Sequence, residues 1–313
     1  MILRDLDGKL QGYEDTEETN RLRDELRAYN RVLAADFIDL STAEEQRVVD
    51  GSTIHQFGRH YQFIRRIFSR GNWGCNGRFY GGWWQLIGAD LRKHILINDR
   101  PTLEVDFKAL HIQILSAEQG VEVETDPYSL PAGTVPGASE GLQRRLVKRL
   151  MLTALNAPDS LSAYGSFRDD WPKGHMAKGM TNRELEALMS VFLEYHPHLN
   201  NLVFADQGIR LMNIDSQIIE RVHRHFTEQG VPVLSVHDSC IVDFTRVGEL
   251  KQVMAEASEA VVGRALPISA SGGLGLDEIA PHMQDDLKAW HEERVIRCEG
   301  YRERLGKWGA QNI

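Results

Sequence analysis

Two short apolar runs joined by a polar bend constrain most strongly how this chain can fold. Residues 233–236 and 240–242 read as β-strands, and His237, Asp238 and Ser239 form the bend between them. A bend this short predicts a tight β-hairpin, which leaves an aspartate at its tip exposed and rigidly held. A divalent metal ion needs a carboxylate presented in that way. The same bend can also be a hydrogen-bonded turn that binds no metal.

A second acidic residue, Asp106, ends another predicted strand. Leu103, Val105 and Phe107 alternate with polar residues, which is the period-two pattern of a half-buried strand. Two carboxylates fixed on separate strands can hold a pair of Mg²⁺ ions for phosphoryl transfer. Taken alone, Asp106 could instead cap the helix that follows.

The composition is that of an ordinary globular protein. The 313 residues are 42% hydrophobic and 26% charged, which allows one large domain or two interleaved subdomains. The three cysteines are widely separated, so we expect neither a disulfide framework nor a zinc site. No signal-peptide pattern is present, and no apolar run approaches the roughly 20 residues of a membrane span. We therefore expect a cytoplasmic protein with no membrane partner.

Charge is distributed unevenly along the chain. The net charge of −9 disfavours nucleic acid as a partner, but residues 51–89 contain no Asp or Glu. This stretch holds five arginines, among them Arg65, Arg66 and Arg78, interleaved with nine aromatic residues. Such a pattern suits a phosphate backbone with bases stacked beside it. The alternative is an aromatic core segment whose arginines extend to solvent.

We expect the first hundred residues to be mostly helical. One helix follows a cap at Asp15 or Thr16, and a second, short helix begins at the capping box of Ser41 and Glu44. Five glycines within residues 71–82 predict a turn-rich loop.

Further along, helices alternate with a few strands. A capping box at Thr181 and Glu184 marks the start of one more helix, and Trp83 and Trp84 are expected in the core. The other helical patterns cover about residues 109–118, 139–156, 208–229 and 248–263, with an amphipathic tail at 283–306. This mixture predicts an α+β fold.

Four elements that can carry chemistry follow one another in a distinctive order. They are Gly77-Arg78 followed by Gln85, the strand that ends in Asp106, a helix with Arg144 and Lys148, and the bend His237-Asp238-Ser239. Arg144 and Lys148 are four residues apart, so they project from one helix face and can grip a triphosphate. By themselves the two cations could equally form a solvated helix face.

This order resembles that of the family A DNA polymerases and the related single-subunit, phage-type RNA polymerases, with this chain as a reduced and divergent member. The strand of Asp106 is similar to their motif A, and the Arg144–Lys148 helix to their motif B. The bend is similar to motif C, which reads His-Asp-Glu in the DNA enzymes and His-Asp-Ser in the RNA enzymes. The resemblance covers roughly residues 71–245.

The resemblance implies a right-hand polymerase architecture with an antiparallel palm sheet and no exonuclease domain. Its implied parts are a helical, thumb-like region at 1–70, a first palm segment with motif A at 71–138, reduced helical fingers with motif B at 139–205, a second palm segment with motif C at 206–282, and a C-terminal helix at 283–313.

It also implies roles for individual residues. Asp106 and Asp238 would bind two Mg²⁺ ions, with Mn²⁺ as the alternative ion, and the backbone carbonyl of Phe107 would be a further ligand. Arg144 and Lys148 would bind the nucleotide phosphates, and Lys148 would protonate the leaving group. The residues expected to contact nucleic acid are Arg78, Gln85, His237, Arg65 and Arg66.

Two nucleotide-binding positions depart from the family pattern. His111 stands where the DNA polymerases have a Glu that closes off the ribose 2′-hydroxyl, so the choice of sugar is open. Asn156 stands where both families have a Tyr that stacks on a base, unless Tyr164 substitutes for it.

The resemblance therefore predicts a nucleotidyltransferase, namely a template-directed DNA polymerase without proofreading. Its partners would be nucleoside triphosphates, a DNA primer–template or single-stranded template, and an accessory replication protein. Ser239 favours the alternative of a primase-like or RNA-polymerizing enzyme on the same palm. Two further alternatives are a two-metal nuclease and a catalytically inactive module that binds nucleic acid.

Overall fold

The computed structural model describes residues 1–311, and the chain forms two compact units. The first unit comprises residues 1–107, 213–261 and those from 267 onward; the second comprises 108–212 and 262–266. Helices combine with mainly antiparallel strands, which confirms the α+β class. The right-hand architecture and the five-part division stay predictions.

The helices and strands follow the chain in a mixed order. The helices are α1 (Glu17–Ala35), α2 (Ala89–Arg92), α3 (Leu110–Glu118), α4 (Glu140–Asn156), α5 (Ser160–Asp169), α6 (Asn182–Tyr195), α7 (Gly208–Glu228), α8 (Val247–Val262), α9 (Gln284–Glu292) and α10 (Glu299–Gln311). The strands are β1 (Ile2–Arg4), β2 (Leu10–Gln11), β3 (Ile38–Leu40), β4 (Arg47–Asp50), β5 (Thr53–Gln56), β6 (Arg65–Ser69), β7 (Asn72–Tyr80), β8 (Ile95–Ile97), β9 (Arg100–Phe107), β10 (Leu234–Val236), β11 (Ser239–Asp243) and β12 (Ile268–Ser271).

A six-stranded sheet in the first unit carries the strand of Asp106. Its order is β10-β11-β9-β8-β3, and β12 also pairs with β9. Leu103, Val105 and Phe107 are buried on one face of β9, whereas Asp106 is exposed on the other. The period-two pattern therefore predicted this strand and its faces correctly.

The predicted hairpin is formed by β10 and β11. Val236 pairs with Ser239, so His237 and Asp238 make a two-residue loop and Ser239 begins β11. His237 has φ of 58°, a left-handed value that two-residue hairpin loops favour because it matches the twist of the strands.

The expectation of a mostly helical first hundred residues is wrong. Strands β1 to β9 lie in residues 1–107, and β2-β1-β6-β7 form a separate four-stranded sheet. The signal for α1 was correct, because Thr16 caps it and exchanges hydrogen bonds with Thr19. Elsewhere in this stretch, pairing between strands, both consecutive ones such as β6 and β7 and distant ones such as β3 and β8, overrides the local helical pattern.

The predicted helix at Ser41 and Glu44 is also absent. The Ser41 N–H donates to the His94 carbonyl at 3.0 Å, and the Ser41 carbonyl accepts from the Cys298 N–H at 2.9 Å. The Glu44 carboxylate accepts from the Gly300 N–H at 2.8 Å. The Ser41 N–H and the Glu44 carboxylate, which would hydrogen-bond to each other in a capping box, are therefore bonded to distant parts of the chain instead.

The glycine-rich stretch at 71–82 forms strand β7 instead of a loop. Asn76 and Gly77 have φ of 62° and 91° in the middle of the strand, where the register against β6 shifts. A Cβ on Gly77 would lie 2.8 Å from the Ser216 hydroxyl and 2.9 Å from the Phe68 ring. The glycine therefore permits a bulge and a close approach of helix α7.

The second unit is built around helices α3 to α6. The Thr181–Glu184 capping box at the start of α6 is confirmed, and so is the buried face of α4. The C-terminal tail forms two helices, α9 and α10, and residues 312–313 lie outside the described part. Within residues 1–311 no helix has the length and apolarity to cross a membrane.

Candidate active site

The two predicted metal ligands lie on neighbouring strands of the six-stranded sheet. Ser239 is the direct cross-strand partner of Asp106, and Asp238 immediately precedes Ser239 in the hairpin loop. Ser269 of β12 pairs with Asp106 from the other side. Side chains of paired residues share a sheet face, so Ser239, Asp106 and Ser269 form one row beside the loop of Asp238.

Three carboxylates lie close enough to a buried thiol in this part of the sheet to raise its pKa. Cys240 is completely buried, and burial raises the pKa of its thiol. The negative charges of Glu104, Asp106 and Asp238 raise that pKa further. The first unit therefore concentrates negative charge at one end of β9 and β11.

Glu104 was not singled out by the sequence as a site residue. Its carboxylate accepts a 2.6 Å hydrogen bond from the Ser239 hydroxyl and two 2.9 Å bonds from the Arg92 guanidinium. The signal was available, since Glu104 lies two residues before Asp106 and therefore on the same strand face. Arg92 could not be found in this way because its partner is set by tertiary packing.

Arg78 lies beside the carboxylates but is held by another residue. Its Nε lies 3.0 Å from both carboxylate oxygens of Asp215, which is completely buried on α7. Burial lowers the pKa of Arg78, but the hydrogen bond and charge of Asp215, together with the charge of Asp238, raise it above its usual value. Arg78 is thus a fixed positive charge at the edge of the site. No sequence motif pointed to Asp215.

His237 lies half-buried in the hairpin loop, close to Arg78, Asp238 and Asp215. Burial and the neighbouring Arg78 lower its pKa, while Asp238 and Asp215 oppose the shift. Its ring lies 5.8 Å from the Tyr80 ring in an edge-on arrangement. These contacts orient the loop that carries Asp238.

The side-chain amide of Gln85 connects strand β10 to the end of strand β7 through hydrogen bonds. Its amide nitrogen donates to the carbonyls of Phe79 at 3.0 Å and Ser235 at 2.9 Å, and its oxygen accepts from the Gly81 N–H at 3.0 Å. The Trp84 indole N–H donates to the same Ser235 carbonyl at 3.0 Å. Gln85 and the buried Trp84 therefore fix strand β10 and its hairpin.

The two arginines of β6 differ in exposure. Arg65 is exposed, as a contact with nucleic acid requires. Arg66 is 3% exposed; it pairs with Glu220 and donates from Nε to the Gly77 carbonyl at 2.7 Å. Arg66 therefore connects β6, β7 and α7 inside the first unit, and its position gives no support to the predicted contact with nucleic acid.

The cations of the predicted motif B helix have different environments within the second unit. Arg144 pairs with Asp126, and its guanidinium lies 5.8 Å from the centre of the Tyr128 ring. Lys148 is exposed and, with Arg145, lines a depression of about 440 Å³. Lys148 is thus available to a phosphate group, whereas Arg144 already has a carboxylate partner.

The remaining predicted nucleotide-binding residues also belong to the second unit. His111 lies on α3 and is half-buried, and Asn156 ends α4 with its amide donating to the Leu152 carbonyl at 2.7 Å. Tyr164 is 4% exposed and packs edge-on against Phe204, so it does not present a free face to a base. The nucleotide-binding roles of His111 and Asn156 stay predictions.

The first unit carries two carboxylates of the chemical type that magnesium takes as ligands. Asp106 is exposed and Asp238 is half-buried, so both present hard oxygen ligands at the surface. A Mg²⁺ ion in a phosphoryl-transfer site is held by one or two carboxylates and completes its shell with water and substrate phosphates. Across residues 1–311 no cluster of three or more His, Cys, Asp or Glu side chains is arranged to hold a metal ion.

Comparisons with known proteins add little to these residues. No protein-family model matches the chain, and no curated protein matches it. Among solved structures, it is similar to the POL domain of Pol1 from M. smegmatis in complex with DNA primer-template and dNTP, with 12% identity and a TM-score of 0.42. The match covers 82% of this chain and 51% of that one, so the chain spans about half its length. This similarity is too low to establish a shared fold or function.

Proposed function

We propose that this protein is a nucleotidyltransferase, most specifically a template-directed DNA polymerase without proofreading. The observation that carries the proposal is the placement of Asp106 beside Asp238. One carboxylate is fixed by β9 and the other by the loop between β10 and β11, and Ser239 connects them as the direct partner of Asp106. Two carboxylates on adjoining elements at one end of the paired strands suit phosphoryl transfer assisted by two metal ions.

The proposed site would use both carboxylates as metal ligands. Asp106 and Asp238 would hold Mg²⁺, which when bound neutralises the charge that develops on the reacting phosphate oxygens. Phe107 is buried through its side chain, but its backbone carbonyl remains the proposed further ligand. Hairpin pairing fixes the backbone on both sides of Asp238, and the neighbouring His237 ring packs against Tyr80.

Arg78 has an indirect role in this proposal. Its guanidinium is anchored by Asp215, so it supplies fixed positive charge next to Asp238. Such a charge favours a polyanionic strand near the carboxylates and reduces their mutual repulsion. The second unit carries the cations proposed to bind the phosphates of a nucleotide, and Lys148 is the strongest candidate because it is exposed.

A primase-like or RNA-polymerizing enzyme is the second candidate. Ser239 follows Asp238 at the position where the family A DNA polymerases have a glutamate. The Ser239 hydroxyl donates a 2.6 Å hydrogen bond to the Glu104 carboxylate. The site therefore has a carboxylate beside the hairpin, although it comes from β9 instead of from the hairpin itself. Ser239 is the residue that the RNA enzymes have at this position, whereas Gly77-Arg78 and Gln85 resemble two elements that the DNA polymerases carry upstream of motif A.

Primer extension tests the proposal. A labelled primer–template is incubated with the protein and Mg²⁺, in separate reactions with deoxynucleotides or ribonucleotides, and an unprimed template is run in parallel. The proposal predicts elongation of the primer with deoxynucleotides. Exclusive use of ribonucleotides on an unprimed template would support the primase-like candidate. Shortening of the DNA without nucleotides would instead identify a nuclease.

A further inference from the structure

A cleft in the first unit continues the sheet face that carries Asp106. Its volume is about 430 Å³, within the roughly 300–1,000 Å³ range of ligand sites. The floor includes Glu104 and its two cross-strand partners, Ile241 of β11 and Ser271 of β12. This row lies two residues along β9 from the row of Asp106, or about 7 Å at 3.4 Å per residue.

The walls of the cleft combine cations with an aromatic ring. Arg92 and Lys93 come from α2 and its C-terminal end, while Trp290 and Arg294 come from α9 and the turn that follows it. The Arg294 guanidinium lies 3.6 Å from the centre of the Trp290 ring and donates to the Trp290 carbonyl at 2.9 Å. Arg294 is exposed and Trp290 is 37% exposed, so this stacked pair faces the solvent-filled cleft.

The charges of the lining favour an anion. Arg92 is paired with Glu104, and Lys93 lies 3.3 Å from Asp90 on the surface. Arg294 makes its hydrogen bond to a backbone carbonyl of its own segment, so its charge is not neutralised by that contact. The cleft therefore offers one surplus positive charge beside an aromatic surface, in a chain whose net charge is −9.

We propose that this cleft binds a single-stranded segment of nucleic acid on its way to Asp106. The inference rests on the proposed function, since it assigns a strand-binding site to the same sheet face. A base would stack on the Trp290–Arg294 pair while the adjoining phosphates lie near Lys93 and Arg294. Stacking of this kind accepts any base, because every base has a π-face. Binding would thus be independent of sequence, as a strand that slides past a catalytic site requires.

Fluorescence anisotropy of a labelled, single-stranded oligonucleotide measures this binding directly. The assay uses the full chain without Mg²⁺ or nucleotides. We expect Trp290→Ala to weaken binding about 5- to 150-fold, the range seen when a stacking aromatic is removed. Arg294→Ala should weaken it and lower the slope of log Kd against log salt by about one. The matched control is Arg302→Ala, an exposed arginine of α10 that does not line the cleft and whose loss should leave binding unchanged.

One further variant, together with Arg294→Ala, keeps the test decisive. Trp290→Phe retains an aromatic face and should restore most of the affinity that Trp290→Ala loses. If Trp290→Ala does not fold, Arg294→Ala still decides the question, because its side chain is exposed. An affinity and salt slope equal to wild type in Arg294→Ala would overturn the inference.

The inference and the proposed function can fail separately. If wild-type protein extends primers while the cleft variants bind oligonucleotides normally, the cleft assignment is wrong and the polymerase proposal stands. If the cleft variants lose binding but the wild-type protein extends no primer, the strand site is real and the polymerase proposal is wrong.

Discussion

Ser239 donates a 2.6 Å hydrogen bond to Glu104, joining the first residue of β11 to the residue two before Asp106 on β9. Glu104 also accepts two hydrogen bonds from the Arg92 guanidinium, and the Glu104 and Arg92 side chains are only 17% and 16% exposed. The hydroxyl, carboxylate and guanidinium thus form a connected polar group at the boundary between the proposed site and the cleft.

Glu104→Gln should lower both stability and synthesis. The substitution leaves the Arg92 charge without its carboxylate in a largely buried place, which costs about 1–3 kcal/mol of unfolding free energy. Urea unfolding followed by circular dichroism measures this loss. Asp24→Asn serves as the control, since its side chain is 73% exposed, and it should change stability by less than about 0.5 kcal/mol. Equal midpoints for wild type and Glu104→Gln would show that the Arg92 pair contributes nothing.

Asp215→Asn should destabilise the protein more strongly. Asp215 is completely buried and neutralises Arg78, whose side chain is 13% exposed. Removing one partner of a buried pair leaves an uncompensated charge, at a cost of about 3–5 kcal/mol. Combining Asp215→Asn with Arg78→Met in a double-mutant cycle isolates the pair, and the double variant should recover part of the loss. Additive losses in the cycle would mean that the two residues act independently.

Stability should depend on His223 in the acidic range. This residue of α7 is buried between the Tyr29 and Phe79 rings, and burial, with a contribution from Arg66, lowers its pKa to about 3. In the unfolded chain the imidazole binds a proton below about pH 6.5. The neutral His223 therefore contributes full stability above pH 6.5, and this contribution falls as the pH drops toward 3, by up to about 1.4 kcal/mol per unit.

A comparison with His223→Phe isolates this effect. Unfolding free energies measured between pH 4 and pH 7 should fall less steeply for the phenylalanine variant than for wild type. His60→Phe, at an exposed position, should keep the wild-type slope. Parallel curves for wild type and His223→Phe would contradict the buried neutral imidazole.

Lys148 should matter more than Arg144 for nucleotide binding. Lys148 is exposed, whereas Arg144 pairs with Asp126. Loss of a charge-assisted hydrogen bond to phosphate costs about 1.5–3 kcal/mol, so Lys148→Ala should raise the nucleotide KM about 10- to 150-fold. We expect a smaller change for Arg144→Ala and none for Lys178→Ala, a surface lysine of the same unit. A larger effect at Arg144 than at Lys148 would reverse this ranking.

Local patterns predicted the parts of the molecule that depend on neighbouring residues. The strand of Asp106, the hairpin that carries Asp238 and the helix capped by Thr16 all follow from periodicity and turn chemistry. The bend was expected to include Ser239, whereas Ser239 pairs with Val236 and begins β11. Asp215 was missed as a site residue because its partner, Arg78, is 137 residues away in the sequence. The period-two pattern could have placed Glu104 on the face of Asp106, but it could not show the hydrogen bond to Ser239, 135 residues away. The environment of each carboxylate is decided by tertiary packing.

Composition also failed to predict which residues of the arginine-rich stretch are exposed. Its composition suggested nucleic acid for Arg65 and Arg66 alike, but Arg66 is buried by Glu220, which lies 154 residues further along the chain. The loop predicted from the glycines of 71–82 became β7 because β6 supplies a pairing partner. Exposure at a single position cannot be read from composition when the partner element is distant.

The central claim is that Asp106 and Asp238 act together in metal-assisted nucleotide transfer. Single-turnover primer extension with Asp106→Asn and Asp238→Asn tests it, with Asp24→Asn as the control and oligonucleotide anisotropy as the measure of retained binding. We predict that each site variant loses roughly 1,000-fold or more in rate, because the metal-held charge is worth several kcal/mol, while binding stays within about two-fold of wild type. Extension at the wild-type rate by either site variant would contradict the account.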